Sequence, residues 1–165
     1  MKDTQDEQFV VVNEQDEIVG YKTRYECHHN KLCIHRSIAI ALFNAKGKLV
    51  MQKRSKQKDL YPGYYTLSST GHVRKGETYE QAATRELQEE MGVTDISLKR
   101  IKTFLVSAES ETEMITLFTG TYNGTYSYPS DEVESLHYFS SQEIRKLKHV
   151  TPSSIQSLKI IKIII

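Results

Sequence analysis

The chain has 165 residues, with 22 basic and 21 acidic side chains and a formal net charge of +1 at pH 7. This length is typical of one ordinary globular domain, so we predict a single domain over residues 1–165. At 38% hydrophobic and 26% charged residues, the composition lies outside the disordered regime. The balanced charge argues against a nucleic-acid polymer as the main partner, because that function usually requires a strongly basic face.

The ends of the sequence and its cysteines favour a cytoplasmic protein without a membrane partner. Residues 1–9 are polar and acidic and lack the apolar core of a signal peptide. Cys27 and Cys33 are too few for a secreted disulfide framework. The isoleucine-rich residues 160–165 are about a third of the roughly 20 residues that a membrane helix needs. We interpret this run as the end of a packed terminal element, with an oligomer contact as the weaker alternative, and we expect a monomer or a homodimer.

The first predicted elements are strands, taken here in chain order. Residues 9–12 and 18–23 are short β-branched runs on either side of a polar turn, which predicts an opening hairpin. Residues 37–43 and 48–53 predict a second hairpin, because Gly47 between them suits the positive φ of a hairpin loop. Apolar and polar residues roughly alternate over residues 98–106 and 113–122, which predicts two further strands.

Helices are predicted between and after these strands. Thr78 and Gln81 form a capping-box signature and Gly92 is a natural left-handed stop, so we predict a helix over residues 79–91. Two later helices are predicted to begin at the capping pair Ser140 and Glu143 and at Thr151-Pro152. Strands outnumber helices and are interleaved with them, which indicates an α+β fold.

The predicted helix over residues 79–91 carries three carboxylates on one side. Glu86, Glu89 and Glu90 fall within an arc of roughly 100°, beside an apolar stripe that includes Leu87. They repel one another and lie near the negative end of the helix dipole, and each effect costs a few tenths to about 1 kcal/mol. A bound cation would attract the carboxylates and turn both unfavourable effects into favourable ones. Hard oxygen ligands suit Mg²⁺ or Mn²⁺. The alternative is a solvated acidic face.

Residues 71–93 read GHVRKGETYEQAATRELQEEMGV and resemble the Nudix box without a gap, through Gly71, Glu77 and the stretch 85–93. The resemblance to the Nudix superfamily implies an α/β/α sandwich around a mixed sheet, with a loop-helix-loop that holds divalent cations against a diphosphate. It implies these site residues: Glu86, Glu89 and Glu90 as metal ligands, Gly71 as a carbonyl ligand, Arg85 to orient the acidic side chains, and Glu77 in a supporting position.

The implied reaction is cleavage of a diphosphate linkage in a small organic diphosphate by metal-activated water. Phosphates are anionic, so a hydroxide nucleophile needs metal ions that screen charge and lower the pKa of bound water. Glu89 and Glu90 would hold Mg²⁺, and Glu90 is expected to be essential for turnover. Glu113 or Glu77 is the better candidate for the general base, because a base must reach the water without serving only as a ligand.

Residues 28–73 extend the resemblance toward one branch, type I isopentenyl-diphosphate isomerase, with similarity over roughly residues 12–139. In that family three histidines and two glutamates hold a second divalent metal, and imidazoles favour Zn²⁺ or Mn²⁺ over Mg²⁺ alone. The matching positions are His28, His35, His72, Glu111 and Glu113. Any one of these histidines could instead be an ordinary surface or core residue.

The basic residues Lys53, Arg54 and Lys58 resemble the positions that bind the diphosphate in the isomerases. Arginine would give a forked contact and lysine a point charge. The alternative is a solvated basic loop.

Three departures from the isomerase pattern favour hydrolysis. The family's catalytic cysteine is Thr70 here, and a threonine hydroxyl cannot supply a thiolate. The chain has no tryptophan to shield a carbocation-like intermediate. Glu86 completes the hydrolytic pattern where isomerases tend to carry a basic residue. An isomerase with another group in place of cysteine, a non-catalytic diphosphate-binding module, and a Cys27/Cys33/His zinc site stay as alternatives, the last less favoured than inert thiol packing.

Overall fold

The computed structural model describes residues 4–165, which form one mixed sheet flanked by helices. The elements in chain order are β1 (Gln8–Val12), β2 (Ile18–Thr23), α1 (Arg24–His28), β3 (Ile34–Phe43), β4 (Leu49–Arg54), β5 (Tyr65–Thr66), β6 (Ser69–His72), α2 (Tyr79–Met91), β7 (Lys99–Ser107), β8 (Thr112–Thr121), β9 (Val133–Phe139), α3 (Ser141–Ile144) and α4 (Pro152–Ile160).

The centre of the sheet is the long strand β3. It pairs in parallel with β8 over ten positions, from Ile34 opposite Thr112 to Phe43 opposite Thr121. β1, β4 and β6 pair with β3 in the antiparallel sense, which makes the sheet mixed. The parallel pairing explains why β3 is rich in apolar residues, because such strands are covered on both faces.

The sheet separates two apolar layers, and alternate residues of β3 face each of them. Ile38 and Ile40 pack in the layer that contains Leu87 and Met91 of α2. Ala39 lies in the opposite layer, which is covered by α3 and α4. Helices therefore cover both faces, and both the α+β class and the sandwich architecture are confirmed.

Several elements agree with the sequence predictions. β1 and β2 form the opening hairpin. The helix over residues 79–91 is confirmed at both ends, since Thr78 and Gln81 form a complete capping box and Gly92 adopts φ 65°. The strands predicted over 98–106 and 113–122 are each shifted by about one residue.

The second hairpin forms only at its tip. β3 and β4 pair at two positions, Leu42 with Val50 and Phe43 with Leu49. Nearer the amino end of β3, the antiparallel partner is β6, which pairs from Ser37 opposite His72 to Ile40 opposite Ser69. A distant strand thus replaces the local one beyond the turn, and β3 also begins three residues before the predicted start, at Ile34.

The isoleucine-rich end packs as predicted. Four isoleucines contact the apolar layer beneath α3 and α4: Ile160, Ile161, Ile163 and Ile164. Among the described residues, the helices are all too short or too polar to cross a bilayer.

Candidate active site

Arg85 connects the acidic residues of α2 to the sheet. Its Nε and Nη2 donate to the two carboxylate oxygens of Glu77 at 2.7 and 3.0 Å, and Nη1 donates to Glu86 at 2.6 Å and to Glu89 at 3.2 Å. Nη2 also donates to the carbonyl oxygen of His72 at 2.9 Å. A guanidinium offers five N–H groups in a rigid fork, which suits this set of acceptors. Arg85 therefore fixes three carboxylates relative to β6.

Glu86 lies directly against Gly71 of β6. A Cβ atom at residue 71 would be 2.1 Å from the Cδ atom of Glu86, so the close approach requires glycine. Burial raises the pKa of Glu86 to about 8, and the charge of Glu90 adds to the rise while Arg85 opposes it. Two neighbouring carboxylates whose pKa values are raised by burial are suitable ligands for a divalent cation.

Glu90 is buried in the last turn of α2. Its Oε2 atom accepts hydrogen bonds from Gln52 Nε2 at 2.9 Å, from Ser69 Oγ at 2.8 Å and from the backbone N–H of Thr70 at 3.1 Å. Burial raises the pKa of Glu90, although these hydrogen bonds and the charge of Lys58 favour the ionised form.

Glu89 and Glu77 occupy the outer side of this acidic group. The Glu89 side chain is 41% exposed, against 13% for Glu86, and it also accepts from Arg74 Nη1 at 3.4 Å. Burial acts to raise the pKa of Glu77, but hydrogen bonds from Arg85 and from the Arg74 backbone bring it below its usual value. Glu77 is thus held as an ionised partner of Arg85.

The predicted histidines and glutamates meet at one end of the β3–β8 pair. His35 lies opposite Glu113, Glu111 precedes β8, His28 ends α1 and His72 ends β6. His28 Nε2 lies 3.2 Å from Glu111 Oε2 and 3.3 Å from His72 Nε2. His35 Nε2 lies 3.6 Å from Glu111 Oε2, and His72 Nε2 lies 4.0 Å from Glu113 Oε1.

The donor set of this cluster fits a metal ion. Ligand atoms of His28, His35, His72 and Glu111 all lie within 4.8 Å of one another. Within the described part of the chain, both ring nitrogens of His35 and Oε2 of Glu111 are buried without a hydrogen-bond partner, and a metal would satisfy such atoms. Burial, with the charge of Arg24, holds the pKa of His72 well below its usual range, so the ring is in the neutral form that binds metals. Imidazoles with a carboxylate suit Zn²⁺ or Mn²⁺.

Phe9 forms an apolar wall for the cluster. The Phe9 ring is fully buried and stacks on His72 at a centroid distance of 4.2 Å and an interplanar angle of 13°. It also stacks on His35 at 5.6 Å. This contact orients two of the imidazoles and limits the access of water from that side.

Two adjacent cavities connect the acidic helix with the histidine cluster. The first is lined by His28, His72, Glu111 and Glu113, and the second by Glu86 and Glu89. Both cavities share Arg24, Lys58, Thr70, Gly71 and Glu90. A ligand that spans the shared wall would contact both groups and two basic side chains.

The three basic residues predicted to bind substrate are not placed together. Arg54 and Lys58 line the first cavity, where Arg54 donates to the carbonyl of Leu60 and Lys58 donates to Glu132 at 2.7 Å. Lys53 is outside the lining of both cavities and donates to Glu134 at 3.0 Å. The difference follows from strand geometry, because neighbouring residues of β4 point to opposite faces.

Three residues of this region were absent from the sequence analysis. Arg24 lines both cavities, but it lies in a five-residue helix that is too short to show a helical periodicity. Gln52 and Ser69 contact Glu90. Gln52 lies two residues before Arg54 on β4, so both side chains lie on one face of the strand. This spacing was the signal in the sequence that could have identified Gln52 as a site residue.

The two cysteines form a separate buried pair. Cys27 Sγ and Cys33 Sγ lie 3.3 Å apart, and both thiols are unbridged. They pack with Phe9 and Val11 in a small apolar cluster. This arrangement agrees with inert thiol packing, and the group of potential metal ligands contains the neighbouring histidines but neither thiol.

Comparison with known proteins identifies the family. A family model described as the NUDIX domain matches residues 34–159, which is more than half of the chain. The chain belongs to the Nudix family. The matched residues include the acidic helix α2, and the chain is similar to proteins named as Nudix hydrolases. One, the uncharacterized Nudix hydrolase PA4841 of Pseudomonas aeruginosa, is 31% identical and covers 90% of this chain and 89% of its own.

Other relatives of this Nudix protein are named as isomerases. A protein of Serratia proteamaculans named isopentenyl-diphosphate Delta-isomerase is 30% identical over 88% of this chain and 82% of its own length. Among solved structures, DR0079 of Deinococcus radiodurans superposes with a TM-score of 0.79, covering 94% of this chain and 98% of the other at 23% identity. This structural similarity supports the fold.

Proposed function

We propose that this Nudix protein is a metal-dependent hydrolase that cleaves the diphosphate linkage of a small organic diphosphate. The observation that carries the proposal is the position of Glu86, Glu89 and Glu90 along a cavity wall that they share with Gly71. The substrate classes that we consider are nucleoside-type and isoprenoid-type diphosphates, and a relative named isopentenyl-diphosphate Delta-isomerase supports the second class.

The acidic residues of α2 would hold the cation. We assign Glu86, Glu89, Glu90 and the carbonyl of Gly71 as ligands of Mg²⁺ or Mn²⁺, because the carboxylates lie close together, and burial and the charges of Glu90 and Glu89 raise the pKa of Glu86. When bound, such a cation screens phosphate charge and lowers the pKa of a water molecule. Arg85 keeps the carboxylates in place through its hydrogen bonds.

The basic residues of the first cavity would bind the diphosphate. Lys58 and Arg54 both line that cavity, and Lys58 is shared with the second. Positively charged groups that are fixed before the substrate arrives stabilise the charge that develops during phosphoryl transfer. We leave Lys53 out of this group because it contacts Glu134 outside the cavity lining.

Glu113 is a better placed general base than Glu77. Both carboxylate oxygens of Glu77 already accept hydrogen bonds from Arg85 and from the Arg74 backbone. Glu113 lines the first cavity, and burial, with the charge of Glu111, raises its pKa to about 7. A carboxylate with that pKa accepts a proton near neutral pH.

A second candidate function is isomerisation of an isopentenyl-type diphosphate. It is favoured by the cluster of His28, His35, His72 and Glu111, which matches the isomerase pattern and could hold Zn²⁺ or Mn²⁺. The relatives named as isomerases are similar over most of the chain. Thr70 occupies the position of the family's cysteine and lines both cavities, so the thiol that isomerases use is replaced by a hydroxyl.

One assay separates the candidates. Purified protein with Mg²⁺ or Mn²⁺ is incubated with nucleoside and isoprenoid diphosphates, and phosphate release and allylic product are measured together. We expect phosphate release without allylic product, and Glu90→Gln should lower turnover at least ~100-fold while circular dichroism shows an intact fold. Allylic product without phosphate would refute hydrolysis, and neither product would favour a non-catalytic binding module.

We also propose the cellular context that the sequence suggests. The protein would be a single cytoplasmic domain with a small-molecule partner, either a monomer or a homodimer. The support is the balanced charge of the chain and the unbridged pair Cys27 and Cys33.

A further inference from the structure

Glu90 differs from its neighbours on α2 in the chemistry of its hydrogen-bond donors. Glu86 and Glu89 accept from the charged Arg85 Nη1 at 2.6 and 3.2 Å. The three donors to Glu90 are uncharged: an amide, a hydroxyl and a backbone N–H. An uncharged donor orients a carboxylate without adding a positive charge beside it, whereas an arginine partly neutralises it.

All three bonds also end on the same oxygen atom. Oε2 of Glu90 accepts from Gln52 at 2.9 Å, from Ser69 at 2.8 Å and from the Thr70 backbone at 3.1 Å. The two oxygens of a carboxylate offer about four lone-pair sites, or about two on each oxygen. Three hydrogen bonds to Oε2 therefore leave that oxygen no site for a further ligand. They also fix the rotation of the carboxylate group, because any turn would lengthen them. Oε1 carries none of these bonds.

The fold holds the two side-chain donors rigidly. Gln52 is 1% exposed on β4, and its Nε2 also donates to the carbonyl of Ser68 at 3.1 Å. Ser69 is fully buried at the start of β6. Neither side chain is among the described residues that line the two cavities, so each would act on a ligand only through Glu90.

We propose that Gln52 and Ser69 are positioning residues that hold the carboxylate of Glu90 and leave its Oε1 atom available to bind a divalent cation. This inference rests on the proposed function of α2 as a cation site. It extends the site to two buried polar residues on two different strands, and it explains why amide and hydroxyl groups lie in otherwise apolar surroundings. The hydrogen bonds to the carboxylate offset the cost of burying the amide and the hydroxyl.

Two variants test this positioning. Gln52→Met replaces the amide with an apolar side chain of similar size, and Ser69→Ala removes one hydroxyl. The Mn²⁺ affinity of the full chain is measured by calorimetry without substrate, and kcat and KM are measured for a diphosphate that the wild-type protein hydrolyses. Loss of a partner that orients a metal ligand typically weakens affinity or activity by 10–100-fold, so we expect the Mn²⁺ Kd to rise about 10-fold in each variant. At saturating Mn²⁺, kcat should fall more than KM changes, since neither residue lines a cavity.

Two controls separate positioning from general destabilisation. Gln88→Met makes the same substitution on the exposed side of α2, and we expect its Mn²⁺ Kd to stay within about 2-fold of wild type, as is usual for surface substitutions. In the Glu90→Gln background, Gln52→Met should cause little further loss of Mn²⁺ affinity, because the two residues act through one contact.

The outcomes distinguish this inference from the proposed function. Correctly folded variants with wild-type Mn²⁺ affinity would overturn the inference, and Ser69→Ala decides the question if Gln52→Met does not fold. Weaker Mn²⁺ binding in the variants of a protein that hydrolyses no diphosphate would support the inference and refute the proposed function. A wild-type protein that binds no Mn²⁺ would overturn both.

Discussion

Replacing Arg85 with methionine should strongly destabilise the protein. Methionine keeps most of the apolar length of the side chain but removes the donors that reach Glu77, Glu86, Glu89 and the carbonyl of His72. The lost contacts join α2 to β6, so the effect should appear in global unfolding.

The expected magnitude follows from burial. Removing one partner of a buried ion pair costs about 3–5 kcal/mol. The Arg85 side chain is 16% exposed and Glu86 is 13% exposed, whereas Glu89 at 41% contributes little because exposed pairs are weak. We therefore expect the free energy of unfolding to fall by about 3 kcal/mol, at the low end of that range. For a chain of this size, that loss lowers Tm by roughly 6–12 °C.

Urea denaturation at pH 7 in the presence of a chelator measures this loss without any contribution from bound metal. Arg100→Met is the matched control, because Arg100 pairs with Glu80 at 3.2 Å on the exposed surface and should cost about 1 kcal/mol or less. If Arg85→Met costs no more than Arg100→Met, the hydrogen bonds of Arg85 do not organise the acidic site, and the argument from burial is wrong.

Two further predictions concern close contacts. Gly71→Ala places a methyl group 2.1 Å from the Cδ atom of Glu86, so the glutamate side chain must move. We therefore expect the Mn²⁺ affinity measured by calorimetry to fall at least ~10-fold. An unchanged affinity would show that Glu86 is not part of the cation site. Cys27 and Cys33 are both buried, and burial also raises the pKa of the Cys27 thiol, so both thiols should react slowly with a chromogenic disulfide reagent at pH 8 and rapidly after denaturation. Rapid labelling of the native protein would contradict the buried pair.

The acidic helix could be predicted from the sequence because its signals are local. The capping box of Thr78 and Gln81, the left-handed Gly92 and the apolar stripe all lie within fifteen residues of one another, and each specifies the helix independently. The carboxylates of that helix then follow from the helical periodicity alone.

The histidine cluster has no comparable local signal. His35 meets Glu113 only because β3 and β8 pair in parallel, and His72 joins them through the pairing of β6 with β3. These residues are up to 85 positions apart (28 to 113), so their juxtaposition depends on the complete sheet. From the sequence, only the resemblance to the isomerase family predicted that these residues share one site.

The elements that sequence reasoning missed are short or covered on both faces. β5 has two residues and β6 has four, too few for an alternating pattern. In β9, Leu136 and Phe139 pack in opposite apolar layers, and a register shift opposite Lys53 and Arg54 interrupts the alternation near Val133, so the apolar and polar residues do not alternate cleanly. Ser69 lies on β6, so its contact with Glu90 could not be predicted without that strand.

We propose above all that the carboxylates of α2 bind a divalent cation beside Gly71. Crystals of the full chain soaked in Mn²⁺ and measured at an anomalous wavelength test it most directly. We expect an anomalous peak between Glu86, Glu90 and the carbonyl of Gly71, and we expect its loss in Glu90→Gln. A peak only at the histidine cluster, or no peak at saturating Mn²⁺, would contradict it.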